Sequence, residues 1–430
     1  MGRQGCPSLR DRGSVVTPGA SRLGSGWRWA VLAGIAVFAV AGLAVSGLTA
    51  QSATGPSGST RATDDLARGS AAAPSGNGSE MPGTSSVVTV LPTGTIAPAA
   101  LPACPPETER FPTGYTAYHT YAGLCRAVVA AAAAHPAIAR LFSIGQSWQG
   151  RELWAMEIST HIADGSHPPG VLFDGLTHGL EHLSLEMPIA IMGWLLDGYG
   201  HDATVTRLVQ TRAIFIIFDV NPDGAASDIA GGAFHEWRKN RQPEPGGAIG
   251  TDLNRNYADH WGCCGLVSST PASAYYRGVA PFSAPETRAV RDFVRSLVFG
   301  GRQEIRTSIS FHASGRLILW PYGYTRIAVP ADMSSIDHAT LVAIGTHMAA
   351  LDGYRSEQAS GLYVDSRTAR DWYYGVEHIF AFTVELGSGT YQPSSVITSE
   401  TARNRSTILY LIGIAGCPYR AIRVTPAPCG

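Results

Sequence analysis

From about Thr108 onward the apolar positions of the chain recur in two rhythms. Returns every three or four residues predict helices over Tyr121–Ala134 and residues 185–196, 284–298, 336–351 and 400–414. Short apolar or alternating runs predict strands over residues 171–173, 213–220, 308–311, 317–320 and 380–385. The third helix opens on Ser283 with Glu286 three positions on, the signature of a capping box. Strands interleaved with helices predict an α/β fold whose sheet is covered on both faces. In such sheets functional residues collect just beyond the strand ends. His178 follows the first strand and Asn221-Pro222-Asp223-Gly224 the second, while His312 and Glu385 end two more.

The pattern differs at the N-terminus. Arg3, Arg10, Arg12, Arg22 and Arg28 precede an uncharged apolar run over residues 29–50. A basic stretch, an apolar stretch and small residues at the end predict an export signal, and Thr49-Ala50 favours its cleavage. The run is also long enough to remain as a membrane anchor, since about 20 residues span a bilayer. Residues 51–107 are rich in Ser, Thr, Gly, Pro and Ala, a composition that buries too little apolar surface to order itself, so a disordered spacer is expected there. Residues 108–430 are then expected to form one domain. The protein is expected to be secreted, or tethered to the outer face of the membrane, and monomeric. Six of the seven cysteines follow the apolar run, and an even number in an exported chain permits disulfides. Cys104–Cys125 and Cys417–Cys429 are plausible local pairs, whereas the adjacent Cys263 and Cys264 are not expected to bridge. A net charge of −1, with charged residues at 15%, gives no basic surface for nucleic acid.

The segment Thr177-His178-Gly179-Leu180-Glu181-His182 admits two readings. As H-x-x-E-H it is the inverted zincin signature, in which both histidines bind zinc and the glutamate is the base. Alternatively His178 and Glu181 are the ligands and a distant histidine completes the set, because catalytic zinc keeps three protein ligands.

Further along stand Asn221-Pro222-Asp223-Gly224, Trp237-Arg238-Lys239-Asn240-Arg241, Asp252-Leu253-Asn254-Arg255-Asn256, Phe311-His312 and Thr383-Val384-Glu385-Leu386. In that order and spacing they resemble the zinc carboxypeptidase (funnelin) family, and the stretch from Leu362-Tyr363 to Asp371-Trp372 is most similar to its bacterial carboxypeptidase T branch. The resemblance implies a mixed, mostly parallel central sheet with helices on both faces. It implies one zinc ion held by His178, Glu181 and His312, with His182 a bystander. It also implies Glu385 as general base and acid, and Arg238 as the group that polarises the scissile carbonyl. Asn254 and Arg255 would grip the terminal carboxylate of a peptide or protein substrate, and Tyr363 would close over it. The implied activity is removal of C-terminal residues, with hydrolysis of cell-wall stem or bridge peptides as the alternative.

Departures from the family pattern bear on substrate contacts. Leu180 stands where an arginine is common, and Ala313-Ser314 replaces a frequent Ser-Tyr pair. Arg370 occupies the position at the floor of the side-chain pocket, so charge logic implies a preference for Asp or Glu at the peptide's end. The alternative is an arginine turned to solvent. The spacer lacks the hydrophobic periodicity of a folded inhibitory propeptide, so a constitutively active enzyme is expected.

Overall fold

The computed structural model describes residues 103–423, Gly262 excepted, and Cys429. The expected export signal and most of the spacer lie outside the described residues. The chain builds an eight-stranded sheet from β1 (Ala139–Gln146), β2 (Glu152–Ile158), β3 (Gly170–Asp174), β4 (Ala213–Ile217), β7 (Ile305–His312), β8 (Leu317–Trp320), β9 (Arg355–Gln358) and β10 (Phe380–Glu385). A separate two-stranded ribbon is made by β5 (Val298–Phe299) and β6 (Arg302–Gln303). Strand order in the large sheet is β1-β2-β4-β3-β7-β10-β8-β9. The central run β4-β3-β7-β10 is parallel, β8 runs against β10, and the β1-β2 hairpin lies antiparallel at the far edge. The mixed sheet with a parallel centre is the one the sequence predicts. β3 and β4 are buried at every position, as expected for parallel strands covered on both sides.

Nine helices are present among the described residues: α1 (Tyr121–Ala134), α2 (Leu183–Gly198), α3 (Ala203–Thr211), α4 (Pro222–Asp228), α5 (Pro285–Ser296), α6 (Ser335–Asp352), α7 (Ala359–Leu362), α8 (Ala369–Gly375) and α9 (Ile397–Ile414). Side chains at register-paired positions of parallel strands share a face, so Leu172, Asp174, Phe215, Ser308, Ser310, Thr383 and Glu385 look the same way. That face is covered by α5, where Phe293 meets Phe215, and by α8, where the Tyr373 hydroxyl donates to Asp174. The opposite face carries Trp320 and Phe382, which close on Gly345 of α6. The two faces differ in chemistry. The α8 side is lined by small and polar residues, and it is the side on which the strands deliver His312 and Glu385.

Two local expectations are revised. The Ser283–Glu286 capping box does not form: α5 starts at Pro285 with no side-chain cap. Ser283 Oγ accepts from Asn256, and the Glu286 carboxylate accepts from the Trp148 backbone N–H and from Asn240. Tertiary donors outcompete the local cap. The strand predicted over residues 213–220 ends at Ile217, beyond which the ladder becomes irregular, with the Val220 N–H donating to the carbonyl of Gly175. Cys104–Cys125 and Cys417–Cys429 pair as expected. Among the described residues no helix is long and apolar enough to cross a membrane.

Candidate metal centre and active site

Three segments meet beyond the ends of β3, β7 and β10. After β3 the chain turns at Leu176, whose φ of 51° begins the loop that carries His178 and Glu181. Gly179 sits so close to its neighbours that a Cβ there would lie 2.4 Å from the carbonyl carbon of Gly224 and 2.7 Å from the Trp237 oxygen. Only glycine lets this loop press against both later motifs at once. Its N–H donates to the Arg238 carbonyl at 3.1 Å. Asn221 completes the clamp: it caps α4 through Gly224, and its amide donates to the carbonyls of Thr177 (3.1 Å) and Arg238 (3.3 Å). The motifs are thus parts of one hydrogen-bonded assembly.

His178, Glu181 and His312 are 4%, 5% and 2% exposed, and each offers a ligand atom within 4.8 Å of the others. His178 Nδ1 lies 2.8 Å from one oxygen of Glu181, His312 Nδ1 lies 2.9 Å from the other, and the two nitrogens are 3.2 Å apart. Burial opposes charge on Glu181, yet His178 and His312 hold its carboxyl well below the usual carboxylate range. Two imidazoles and one carboxylate, buried and converging, match the donor set of catalytic zinc. His182 takes no part. Its Nε2 is 2.8 Å from Asp228, which also accepts from the Trp237 N–H and the Tyr391 hydroxyl, and its ring meets Phe111 edge-on. His182 thus lies outside the cluster, and the distant His312 lies within it.

Behind the ligands stands Asp252, which the motif reading named only as part of a run. One oxygen is 3.3 Å from His178 Nε2, the other 3.0 Å from Arg238 Nε, and the residue is fully buried. Burial works against its ionisation, but Arg238, His178 and Arg255 hold its carboxyl far down. A carboxylate behind a ligating histidine fixes its tautomer and orientation. The signal was available: an Asp two residues before Asn254 at a tight turn. Asp174, on the sheet face under His312, is bonded by Ser310 Oγ at 2.5 Å and by Tyr373, and its burial raises its pKa to about 6.

The remaining expected residues surround this cluster. Arg238 Nη1 is 3.8 Å from Glu181, and its guanidinium lies over the Tyr275 ring. Glu385 is the register partner of His312, so the parallel pairing of β7 and β10 alone sets it beside the metal ligands. Its desolvation, countered in part by His312, raises its pKa to about 7. Asn254 Nδ2 is 3.4 Å from His312 Nε2, and its oxygen accepts from the Ala369 N–H. Arg255 is 1% exposed, donates to the carbonyls of Leu266 and Asn254, and lies 3.5 Å from Asp365. Its Nη2 is buried without a hydrogen-bond partner among the described residues. Tyr363, 39% exposed at the rim, stands close enough to Arg255, Glu385 and Arg238 to feel all three charges. Arg370 is neither turned to solvent nor free. It is buried, with Nε 2.9 Å from Asp371 and Nη2 3.4 Å from Asp365.

The family model described as zinc carboxypeptidase matches residues 124–407. The chain belongs to the zinc carboxypeptidase family. The zinc carboxypeptidase of Saccharothrix mutabilis subsp. capreolus is 39% identical over 320 residues, covering 73% of each chain. Carboxypeptidase A1 of Rattus norvegicus is 30% identical over 276 residues, covering 63% of each. Among solved structures, thrombin activatable fibrinolysis inhibitor superposes with a TM-score of 0.63 at 25% identity, covering 70% of this chain and 74% of that one. Carboxypeptidase A from Helicoverpa armigera, at 23% identity, shares the fold with a TM-score of 0.60 over 72% and 75%. This metallocarboxypeptidase thus combines the family's fold with a buried His178, Glu181 and His312 cluster able to hold zinc.

Proposed function

We propose that this carboxypeptidase is an exported zinc exopeptidase that hydrolyses the last peptide bond of peptides or proteins, with Glu385 as general base and acid. The observation that carries the reading is Arg255. A buried guanidinium with an unpartnered Nη2, on the same turn as Asn254 and beside the metal cluster, is the group that a terminal carboxylate would satisfy through charge-assisted hydrogen bonds. Zinc held by His178, Glu181 and His312 would supply Lewis acidity and lower the pKa of a water towards neutrality. Glu385 accepts the proton of the attacking water and hands it to the leaving amine. Arg238, anchored by Asp252, aligns its remaining N–H groups with the carbonyl oxygen as negative charge develops there. Tyr363 at the rim covers the bound end. The disulfides favour an oxidising compartment and so support export.

Pocket preference reads differently from the charge of Arg370 alone. With Asp365 and Asp371 against it, Arg370 presents no uncompensated cation, so its position by itself gives no strong pull on Asp or Glu ends.

The test pairs a peptide with its C-terminal amide, assayed with zinc and with chelator. Release of single residues from the free acid only, abolished by chelator, is expected. Equal cleavage of the amide would overturn the reading. Arg255→Gln is expected to lower kcat/KM on the free acid by about 10²-fold or more, as losing a charged hydrogen-bond donor does.

A further inference from the structure

Arg367 differs from the other buried arginines near the site. It is fully buried, yet its Nε, Nη1 and Nη2 all lack a hydrogen-bond partner among the described residues. Arg255 and Arg370 each lie within ion-pair distance of a carboxylate, whereas among the described residues the Arg367 guanidinium meets only the face of Trp261, 4.9 Å from the ring centroid. Arg277, partly buried, approaches the same ring at 5.1 Å. The position is held firmly. The backbone of Arg367 has φ 66°, its carbonyl accepts from the Tyr257 N–H, and the adjacent Ser366 hydroxyl donates to the carbonyls of Cys263 and Cys264. Gly265, where a Cβ would lie 2.0 Å from the Val364 oxygen, allows this close packing of the two loops.

A buried charge is stable only when paired or hydrogen-bonded. Trp261 offers a cation–π contact, which leaves the three N–H-bearing nitrogens unsatisfied. Burial, and then the neighbouring Arg277 and Arg255, lower the pKa of Arg367 to about 10, which still leaves it charged at neutral pH. The charges acting on it are all positive. The missing partner is therefore negative.

We propose that Arg367 and Arg277, on the platform of Trp261, form a binding site for a small anion beside the Arg255 turn. The planar fork of a guanidinium suits an oxyanion gripped at two points. The same chemistry has two sources: a dissolved ion such as sulfate or phosphate, or the acidic side chain of a bound peptide's last residue. The second source rests on the exopeptidase reading, and the first does not.

The test uses the full-length zinc-loaded protein and its Arg367→Gln variant, melted across a sodium sulfate series. Comparing the two removes the general effect of salt. The wild type is expected to gain Tm saturably with sulfate while the variant lacks that step, and the variant melts higher at the lowest sulfate because it carries no unpaired charge. Parallel curves, with the variant lower throughout, would make Arg367 a packing residue on Trp261 and overturn the site. If Arg367→Gln does not fold, Arg277→Gln is expected to raise the sulfate midpoint about tenfold; an unchanged midpoint overturns the site equally. A second arm compares kcat/KM for peptides ending in Glu and Phe. A loss of about tenfold or more in the Glu/Phe ratio on Arg367→Gln, with sulfate competing against the Glu peptide, assigns the site to the substrate side chain. An unchanged ratio with the sulfate step intact assigns it to a dissolved ion. Failure to cut any peptide bears on the exopeptidase reading alone, since the melts need no activity.

Discussion

Asp252 joins the candidate metal cluster to Arg238, since its two oxygens face His178 and Arg238 separately. Asp252→Asn keeps the shape but loses the charge. It is expected to weaken zinc binding by about 10–100-fold in chelator competition. His182→Ala, by contrast, leaves zinc stoichiometry at one, because the His182 ring is spent on Asp228. On the proposed mechanism Glu385 sets the acid limb of the pH profile. The base must be unprotonated, so activity falls as pH drops through its pKa. Burial raises that pKa to about 7, and a bound dication lowers it again. The acid midpoint of kcat/KM is therefore expected between 4.5 and about 7. Glu385→Gln is expected to lose about 10²–10⁴ in kcat while zinc content stays unchanged.

Elements show where tertiary partners override local preference. β9, Arg-Ser-Glu-Gln, has no apolar residue to mark it and exists because β8 offers it an edge. α8 is short but buried, capped by Thr368, and rests on the polar face of the sheet through Tyr373. α5 is the sharper case, because Glu286 was drawn from a cap into the interior. Burial raises its pKa to about 7, so the fold favours the neutral carboxyl. A raised folded pKa gives stability that is complete below about 4.5, the unfolded value, and lost as pH climbs through about 7. Glu286→Gln removes that dependence. The Tm of the variant relative to wild type is expected to rise between pH 4.5 and 8, by an amount on the order of 2–3 kcal/mol in stability. A difference independent of pH would show that Glu286 is ionised in the fold.

At the scale of the molecule, zinc held by His178 and His312 would join a loop after β3 to the end of β7, positions 134 residues apart in the chain. Unfolded chain holds no such site, so zinc adds stability by mass action, about 4 kcal/mol at free metal a thousandfold above Kd. Chelation is expected to lower Tm by several degrees and added zinc to restore it. Much of this was legible beforehand. Strands β3, β4, β7, β8 and β10 declare themselves by apolar runs, the H-x-x-E loop is local, and the ordered motifs identify the family. Local patterns carry that information because neighbours in sequence are neighbours in space. What pairs His312 with Glu385, and both with His178, is the parallel register of β3, β7 and β10, which depends on contacts far apart in the chain. Charge compensation is likewise invisible in one dimension. Arg370 reads as a free cation until Asp365 and Asp371 close on it, and Arg367 reads as an ordinary loop residue until folding buries it without a carboxylate. The sequence by itself determined the family, and it nominated the ligand types and the base. Only the tertiary structure decided which charges are paired, because pairing is a matter of distance and desolvation, and both are properties of the folded chain.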